Sequence, residues 1–250
     1  MGSREAAAVH AVPLPETDWC LFLDVDGTLL ELAATPQAVI VEPALLDLLT
    51  RLRAAAGGAL ALISGRTIVD LDRLFGVLQL PCAGLHGGER RDARGEMHVS
   101  AVIHAQLADV RAGLHELVSR HDGLMLEDKG AGLALHFQSA EAQPQLRAEV
   151  ALLAAPLVPT YALLDGHRVI EVKPAIYTKD SAVNAFMREA PFTGRTPIFI
   201  GDDQTDYGGF DAVRRAGGLA IAVGPRVTSE WWLPGPSAVH RWLEHLMERA

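Results

Sequence analysis

Cysteine is scarce, with two residues, Cys20 and Cys82, in a chain of 250. Neither belongs to a CxxC pair, and each sits in an apolar, strand-like run. A disulfide scaffold and a thiolate-held metal are therefore not expected, and both residues read as reduced core thiols of a cytoplasmic protein. No apolar run reaches the roughly 20 residues a membrane helix needs. The first 17 residues lack a continuous apolar segment, so a signal peptide is not expected and residues 1–18 read as a flexible lead-in. No run of Lys or Arg occurs, and 22 basic against 31 acidic residues leave a net charge of -9. That composition argues against a nucleic-acid or acidic-membrane partner, while a small anionic substrate, which responds to the local field, stays open. Internal repeats and low-complexity tracts are also missing.

What the chain does have is apolar mass. Hydrophobic residues make up 49% and charged residues 21%, enough for a core and too few charges for global disorder. The runs CLFLD (20–24), ALALI (59–63), LPCAGLHG (80–87), PIFI (197–200) and LAIAVG (219–224) are short, apolar and bounded by turn residues, which predicts buried strands. Between them, 43–56 with Leu at 45, 46, 48, 49 and 52, then 67–75, 206–216 and a final Trp/Leu segment have helical spacing. Apolar strands alternating with helices predict an α/β fold with a parallel sheet covered on both faces. The middle differs. A helix near 105–121, strands in GLMLEDKG (123–130), GLALHFQ (132–138) and HRVIEVKP (167–174), and a helix near 140–155 predict an α+β insertion. The expected domains are a core of 19–97 and 175–250 and an inserted domain of 98–174.

Polar groups stand where the core strands stop. Asp24 and Asp26 project to one face of an extended chain, and Gly27 permits a tight turn. Two adjacent carboxylates repel unless one is protonated or a cation lies between them; an N-cap and a turn residue would also explain the string. Asp202 and Asp203 repeat the pattern after another apolar run. Oxygen ligands without His or Cys suit a hard cation, and Mg²⁺ is the usual one where phosphate is handled. Ser64 at a strand-to-helix turn and Lys179 before a helix are candidate anion-binding groups. Together these suggest phosphoryl transfer. Asp24 would be the nucleophile, Asp26 the proton donor and acceptor, and Ser64, Lys179 and the cation would neutralise the phosphoryl oxygens.

DVDGT, a strand-end Ser, a Lys and GDDxxD, in that order, resemble the haloacid dehalogenase superfamily. ALALISGR (59–66), AGLHGGERRD (83–92), LEDKG (126–130), ALHF (134–137) and the 186–206 segment resemble the trehalose-6-phosphate phosphatase family within it, from about Trp19 onward. The resemblance implies a Rossmann-like haloacid dehalogenase core with an α+β cap inserted at 98–174. It implies Mg²⁺ held by Asp24, the Asp26 carbonyl and Asp202, with Asp203 and Asp206 supporting. Arg66 would line the phosphate site, His86, Glu89 and Arg90 the mouth, and Glu127, Lys129 and Glu171 would bind sugar hydroxyls, Glu127 and Lys129 from one strand face. For His136, core packing and a sugar contact are both open. The implied reaction is hydrolysis of trehalose 6-phosphate through an aspartyl-phosphate, the last step of trehalose biosynthesis, by a cytoplasmic monomer acting on a small sugar phosphate. A phosphatase or mutase for another sugar phosphate, and a phosphate-sensing module akin to receiver domains, are the alternatives. The chain departs from the family at Tyr207, Ile176 and Asp180, where Glu, Gly and Gly are usual. Ile disfavours the positive φ that Gly allows, and Asp180 is expected to cap the helix that follows.

Overall fold

Residues 9, 11–15, 18–33, 38–99, 104–139, 143–166 and 168–248 are described by a computed structural model of the chain. Most of the expected lead-in thus lies outside the described residues. Within its described part Val9 and Val12 are buried, and the Val12 carbonyl accepts the Trp242 indole N–H at 3.3 Å.

The chain divides into two compact units, Met1–Val99 with Thr178–Ala250, and Ser100–Tyr177. In chain order the first unit begins with β1 (Trp19–Leu23), α1 (Pro43–Ala55), β2 (Leu60–Ile63), α2 (Ile68–Phe75), β3 (Cys82–Gly84), β4 (Glu89–Arg91) and β5 (Met97–Val99). The second unit holds α3 (Ala108–Arg120), β6 (Leu124–Asp128), β7 (Leu133–Phe137), α4 (Gln143–Ala154), β8 (Tyr161–Gly166) and β9 (Val169–Pro174). The first unit resumes with α5 (Lys179–Phe186), β10 (Thr196–Gly201), α6 (Tyr207–Arg215), β11 (Leu219–Val223), β12 (Trp231–Leu233) and α7 (Pro236–Glu248).

The first sheet has the order β12-β11-β10-β1-β2-β3-β4-β5. Its six strands from β12 to β3 are parallel, and β4 and β5 add an antiparallel hairpin. Every residue of β1 and β2 is buried, as expected of strands covered on both faces. The α1 sequence supplies its stripe at i, i+3, i+4 and i+7: Leu45, Leu48, Leu49 and Leu52 are buried. Each such Leu contributes about 1.5–3 kcal/mol of burial. Pro43 opens the helix where a missing N–H costs nothing.

The third strand is shorter than its apolar run suggests. Leu85 and His86 take left-handed backbone, φ 51° and 57°, and end the strand at Gly84. The N–H groups of these two residues turn back to the Arg66 and Ser64 carbonyls, each at 2.9 Å. Four strands not predicted from sequence, β4, β5, β8 and β12, are short, at an edge, or mixed in composition. The second unit is an antiparallel sheet, β6-β7-β9-β8. Leu133, Leu135 and Phe137 of β7 join its own core with Val110, Leu114 and Leu117 of α3 and Leu146 and Val150 of α4.

Candidate active site

β1 is the hub of the first sheet, pairing with β10 on one side and β2 on the other. The residues following these three strands, Asp24, Ser64 and Asp202, therefore come to one edge, where ligands of such sheets bind. All three are buried, at 5%, 1% and 4% exposure. Two glycines make the approach feasible. A Cβ on Gly27, at φ +85°, would lie 1.9 Å from Asp202 Oδ2, and one on Gly201 would lie 2.3 Å from Asp206 Cγ. No side chain fits at either place.

Buried charge needs partners, and the centre has them. Lys179 Nζ donates to Asp24 Oδ1 and to Asp206 Oδ1, both at 2.6 Å. Thr28 Oγ1 donates to the other Asp24 oxygen at 3.1 Å. Asp206 Oδ2 accepts the backbone N–H groups of Asp202 and Asp203, each at 2.9 Å. Asp203 in turn accepts from the Thr205 N–H, so the two residues close a capping box. Burial works against both members of the Lys179–Asp206 pair. For Lys179 the charges of Asp206 and Asp24 outweigh it and hold the ammonium above the usual lysine range. For Asp206 burial prevails and its carboxyl is raised to about 7, with repulsion from Asp24 adding to it.

Asp26 is placed differently. Arg66 donates to both its oxygens, Nε at 2.7 Å and Nη2 at 2.6 Å, a forked, charge-assisted pair. Ser64 Oγ accepts the Arg66 N–H at 3.1 Å. His86 sits against this turn: a Cβ on Gly65 would meet its ring at 2.7 Å. Glu89 Oε1 accepts the Ile68 N–H at the start of α2, a position where a helix favours negative charge. Both arms of Arg90 are engaged by Glu189, at 2.8 Å each, and its guanidinium lies 5.0 Å over the Phe186 ring.

In the second unit a cross-strand row orders the expected groups. Ala134 pairs with Glu127 on one side and Glu171 on the other, so both carboxylates share its face of the sheet, as does His136 two residues on. His136 Nε2 is 2.7 Å from Glu127 Oε2, and Lys129 Nζ donates to Glu171 Oε1 at 2.6 Å. His136 is half-buried on this polar face, not part of the core. β6 ends at Asp128, and Lys129, one residue beyond it, still directs its side chain to Glu171 on the face that Glu127 shares. Burial would raise the Glu127 carboxyl, but the His136 hydrogen bond and the Lys129 charge hold it below the usual range.

The three departures also have local explanations. Ile176 does not adopt positive φ among the described residues, so losing a glycine there strains nothing. Thr178, not Asp180, caps α5, accepting the Ser181 N–H at 3.1 Å. Asp180 accepts instead from Arg215 and Asn184. Tyr207 opens α6, stacks edge-on to Phe210, and its hydroxyl accepts the Thr228 N–H at 3.4 Å.

For a cation, the carboxylate oxygens that converge are those of Asp24, Asp202 and Asp206, all within 4.8 Å of one another. Asp202 Oδ1 is buried without a hydrogen-bond partner among the described residues, an acceptor left for a ligand. An all-oxygen set with such an acceptor fits a hard divalent ion. Asp206 joins the converging set although both its oxygens already accept hydrogen bonds, and the hold of Arg66 on the Asp26 side chain leaves the role expected of the Asp26 backbone carbonyl untouched. Sequence reasoning also missed Arg226, which donates to Asp202 and lies 3.5 Å from Asp203. Its signal was weak, because it stands three residues after the apolar β11 run, behind Gly224 and Pro225, whereas Asp24 follows β1 directly.

A family model described as trehalose-phosphatase matches residues 22–231. The trehalose-6-phosphate phosphatase of Escherichia coli (strain K12) is 41% identical over 238 residues, 93% of this chain and 90% of that protein. The solved C-terminal domain of the trehalose-6-phosphate phosphatase of C. albicans superposes with a TM-score of 0.85 at 20% identity, over 93% of each chain. A haloacid dehalogenase-like hydrolase from Bacteroides thetaiotaomicron superposes at 0.63 and 16% identity, over 92% of this chain and 100% of that one. These two structural likenesses concern the fold, which is the haloacid dehalogenase type.

Proposed function

Because the chain belongs to the trehalose-phosphatase family, we propose that it hydrolyses trehalose 6-phosphate to trehalose and phosphate, with Asp24 as the nucleophile. The observation that carries this reading is the state of Asp24. It is a buried carboxylate at the end of the central strand, with one oxygen held by Lys179 and the other by Thr28. Such a group is oriented and cannot drift from an incoming phosphorus atom.

In the first half-reaction an Asp24 oxygen forms a bond to phosphorus, the bond from phosphorus to the sugar oxygen breaks, and Asp26 gives that oxygen a proton. In the second, Asp26 takes a proton from water, whose oxygen displaces Asp24 from phosphorus. Asp26 serves as donor only after parting from Arg66, since the forked pair uses both its oxygens as acceptors. Lys179 keeps its charge throughout and offsets the approach of one anion to another. Asp24, Asp202 and Asp206, with the Asp26 carbonyl, would hold Mg²⁺, which supplies further neutralisation of phosphoryl charge. Ser64 offers its hydroxyl to a phosphoryl oxygen. The second unit, taken as the cap, reads the sugar through Glu127, Lys129 and Glu171, whose charge-assisted hydrogen bonds suit a ligand rich in hydroxyls. The two free cysteines, Cys20 and Cys82, support a reading of the enzyme as cytoplasmic, where thiols are kept reduced.

The test is Mg²⁺-dependent phosphate release from trehalose 6-phosphate, with glucose 6-phosphate as control. Trehalose 6-phosphate should be strongly preferred, and Asp24→Asn should abolish release while the protein stays folded. Comparable turnover of glucose 6-phosphate overturns the substrate; near-full activity of Asp24→Asn overturns the nucleophile.

A further inference from the structure

Arg226 sits in the acidic cluster, yet it has no part in the chemistry above. Its guanidinium donates to Asp202 Oδ2, and its other terminal nitrogen is 3.5 Å from Asp203 Oδ2. The same guanidinium presses on the turn after β1, since a Cβ on Gly27 would lie 2.9 Å from Arg226 Nη2. It therefore occupies the side of Asp202 that faces the nucleophile loop. The Asp202 side chain is 5% exposed and Arg226 26%, so the arginine reaches the carboxylate from water.

The backbone that carries it is tied down on both sides. The Gly224 N–H donates to the Leu233 carbonyl at 2.9 Å, and the Trp232 indole donates to the Gly224 carbonyl at 2.6 Å. On the other side, the Thr228 N–H donates to the Tyr207 hydroxyl, and Ser229 Oγ donates to the Ala220 carbonyl at 2.8 Å. Freedom is left to the long, rotamer-rich side chain rather than to its loop. Asp202 is also one of the three carboxylates whose oxygens converge for a cation. Arg226 holds Asp202 Oδ2 and leaves Oδ1 without a partner among the described residues, so an ion taken at Oδ1 would meet the guanidinium's like charge across the same carboxylate.

We propose that Arg226 is a built-in competitor of the divalent cation. In the metal-free protein it neutralises Asp202 and Asp203; when the ion binds, the guanidinium swings out toward solvent. The affinity for the ion is then the intrinsic affinity reduced by the fraction of molecules in which Arg226 has let go. The inference rests on reading Asp24, Asp202 and Asp206 as the metal site.

Calorimetric titration of the full chain with Mg²⁺ alone, without substrate, tests it. Arg226→Met should bind Mg²⁺ about tenfold more tightly than the unaltered protein, the scale of a partly exposed, forked ion pair. Arg226→Lys, which keeps the charge but loses the fork, should fall between them. In chelator Arg226→Met should melt at a lower temperature than the unaltered protein, and saturating Mg²⁺ should narrow that gap. Unchanged or weaker Mg²⁺ binding by Arg226→Met overturns the proposal; should that variant not fold, Arg226→Lys decides by the same direction. Asp202→Asn is the control. If it still binds Mg²⁺ like the unaltered protein, the metal-site reading fails. If it loses binding while the Arg226 variants bind as before, only the competitor role fails.

Discussion

Lys179→Met is the most informative single change in the centre. Lys179 is 3% exposed, Asp24 5% and Asp206 0%, so water does little to screen the three charges. With Nζ 2.6 Å from each carboxylate, the gross attraction is about 6 kcal/mol per pair at an effective dielectric constant of about 20. Much of that only offsets the cost of bringing the charges out of water. Removing the single cation leaves that cost uncompensated and sets Asp24 against Asp206. The expected loss is about 3–5 kcal/mol, a large part of the roughly 5–15 kcal/mol of a typical domain. Urea unfolding in chelator measures it. The four tryptophans, Trp19, Trp231, Trp232 and Trp242, all belong to the first unit, so their fluorescence follows that unit alone. With a slope of about 2 kcal/mol/M, the midpoint should fall by about 2 M. Adding Asp206→Asn should recover part of the loss, because it removes one of the two opposed charges. A shift of Lys179→Met below about 0.5 M, or a double variant less stable than the single, refutes the reasoning.

Three further outcomes follow from the same geometry. Gly27→Ala places a methyl where Asp202 Oδ2 stands, at φ +85°; phosphate release should drop about 100-fold or more, and a rate within threefold of the parent would show that the turn yields freely. Glu127 has its carboxyl held below the ordinary 4.5, so its stabilising contribution is present above that pH and is lost as pH falls through the lower folded value. Glu127→Gln should therefore cost about 1 kcal/mol at neutral pH and progressively less below about pH 4.5; a deficit that stays constant with pH refutes this. Burial pushes the Cys20 thiol up to about 12 and the Cys82 thiol up to about 11, so thiol reagents should modify neither in the native protein and both in urea; fast native labelling contradicts the burial.

Much of the first unit was readable because its strands are covered on both faces. A strand of that kind must be apolar throughout, so β1, β2, β10 and β11 announced themselves, and the polar residues after the first three, Asp24, Ser64 and Asp202, marked the functional edge. The strands that went unread lack this constraint. β5 (MHV) is exposed at a sheet edge, and β12 (WWL) is only partly buried. β3 ended early through the left-handed Leu85 and His86, residue types whose sequence does not advertise positive φ. In the second unit both helices and three of the four strands were read, while β8 carries Asp and Gly and did not stand out from a loop.

The sequence alone determined which groups are present at the ends of the core strands, because burying a charge there without a purpose is too costly to be incidental. It named Asp24, Asp26, Ser64, Asp202 and Asp203 in that way, and Lys179 from its place before a helix. Only the tertiary structure decided how these groups pair. It set Lys179 between Asp24 and Asp206, gave Asp26 to Arg66, committed Arg90 to Glu189, and brought Arg226 to Asp202. Partners 24 to 155 positions apart along the chain have no periodicity to betray them. Their meeting depends on strand order and on the directions in which loops leave the sheet, and these are settled only when the whole core packs.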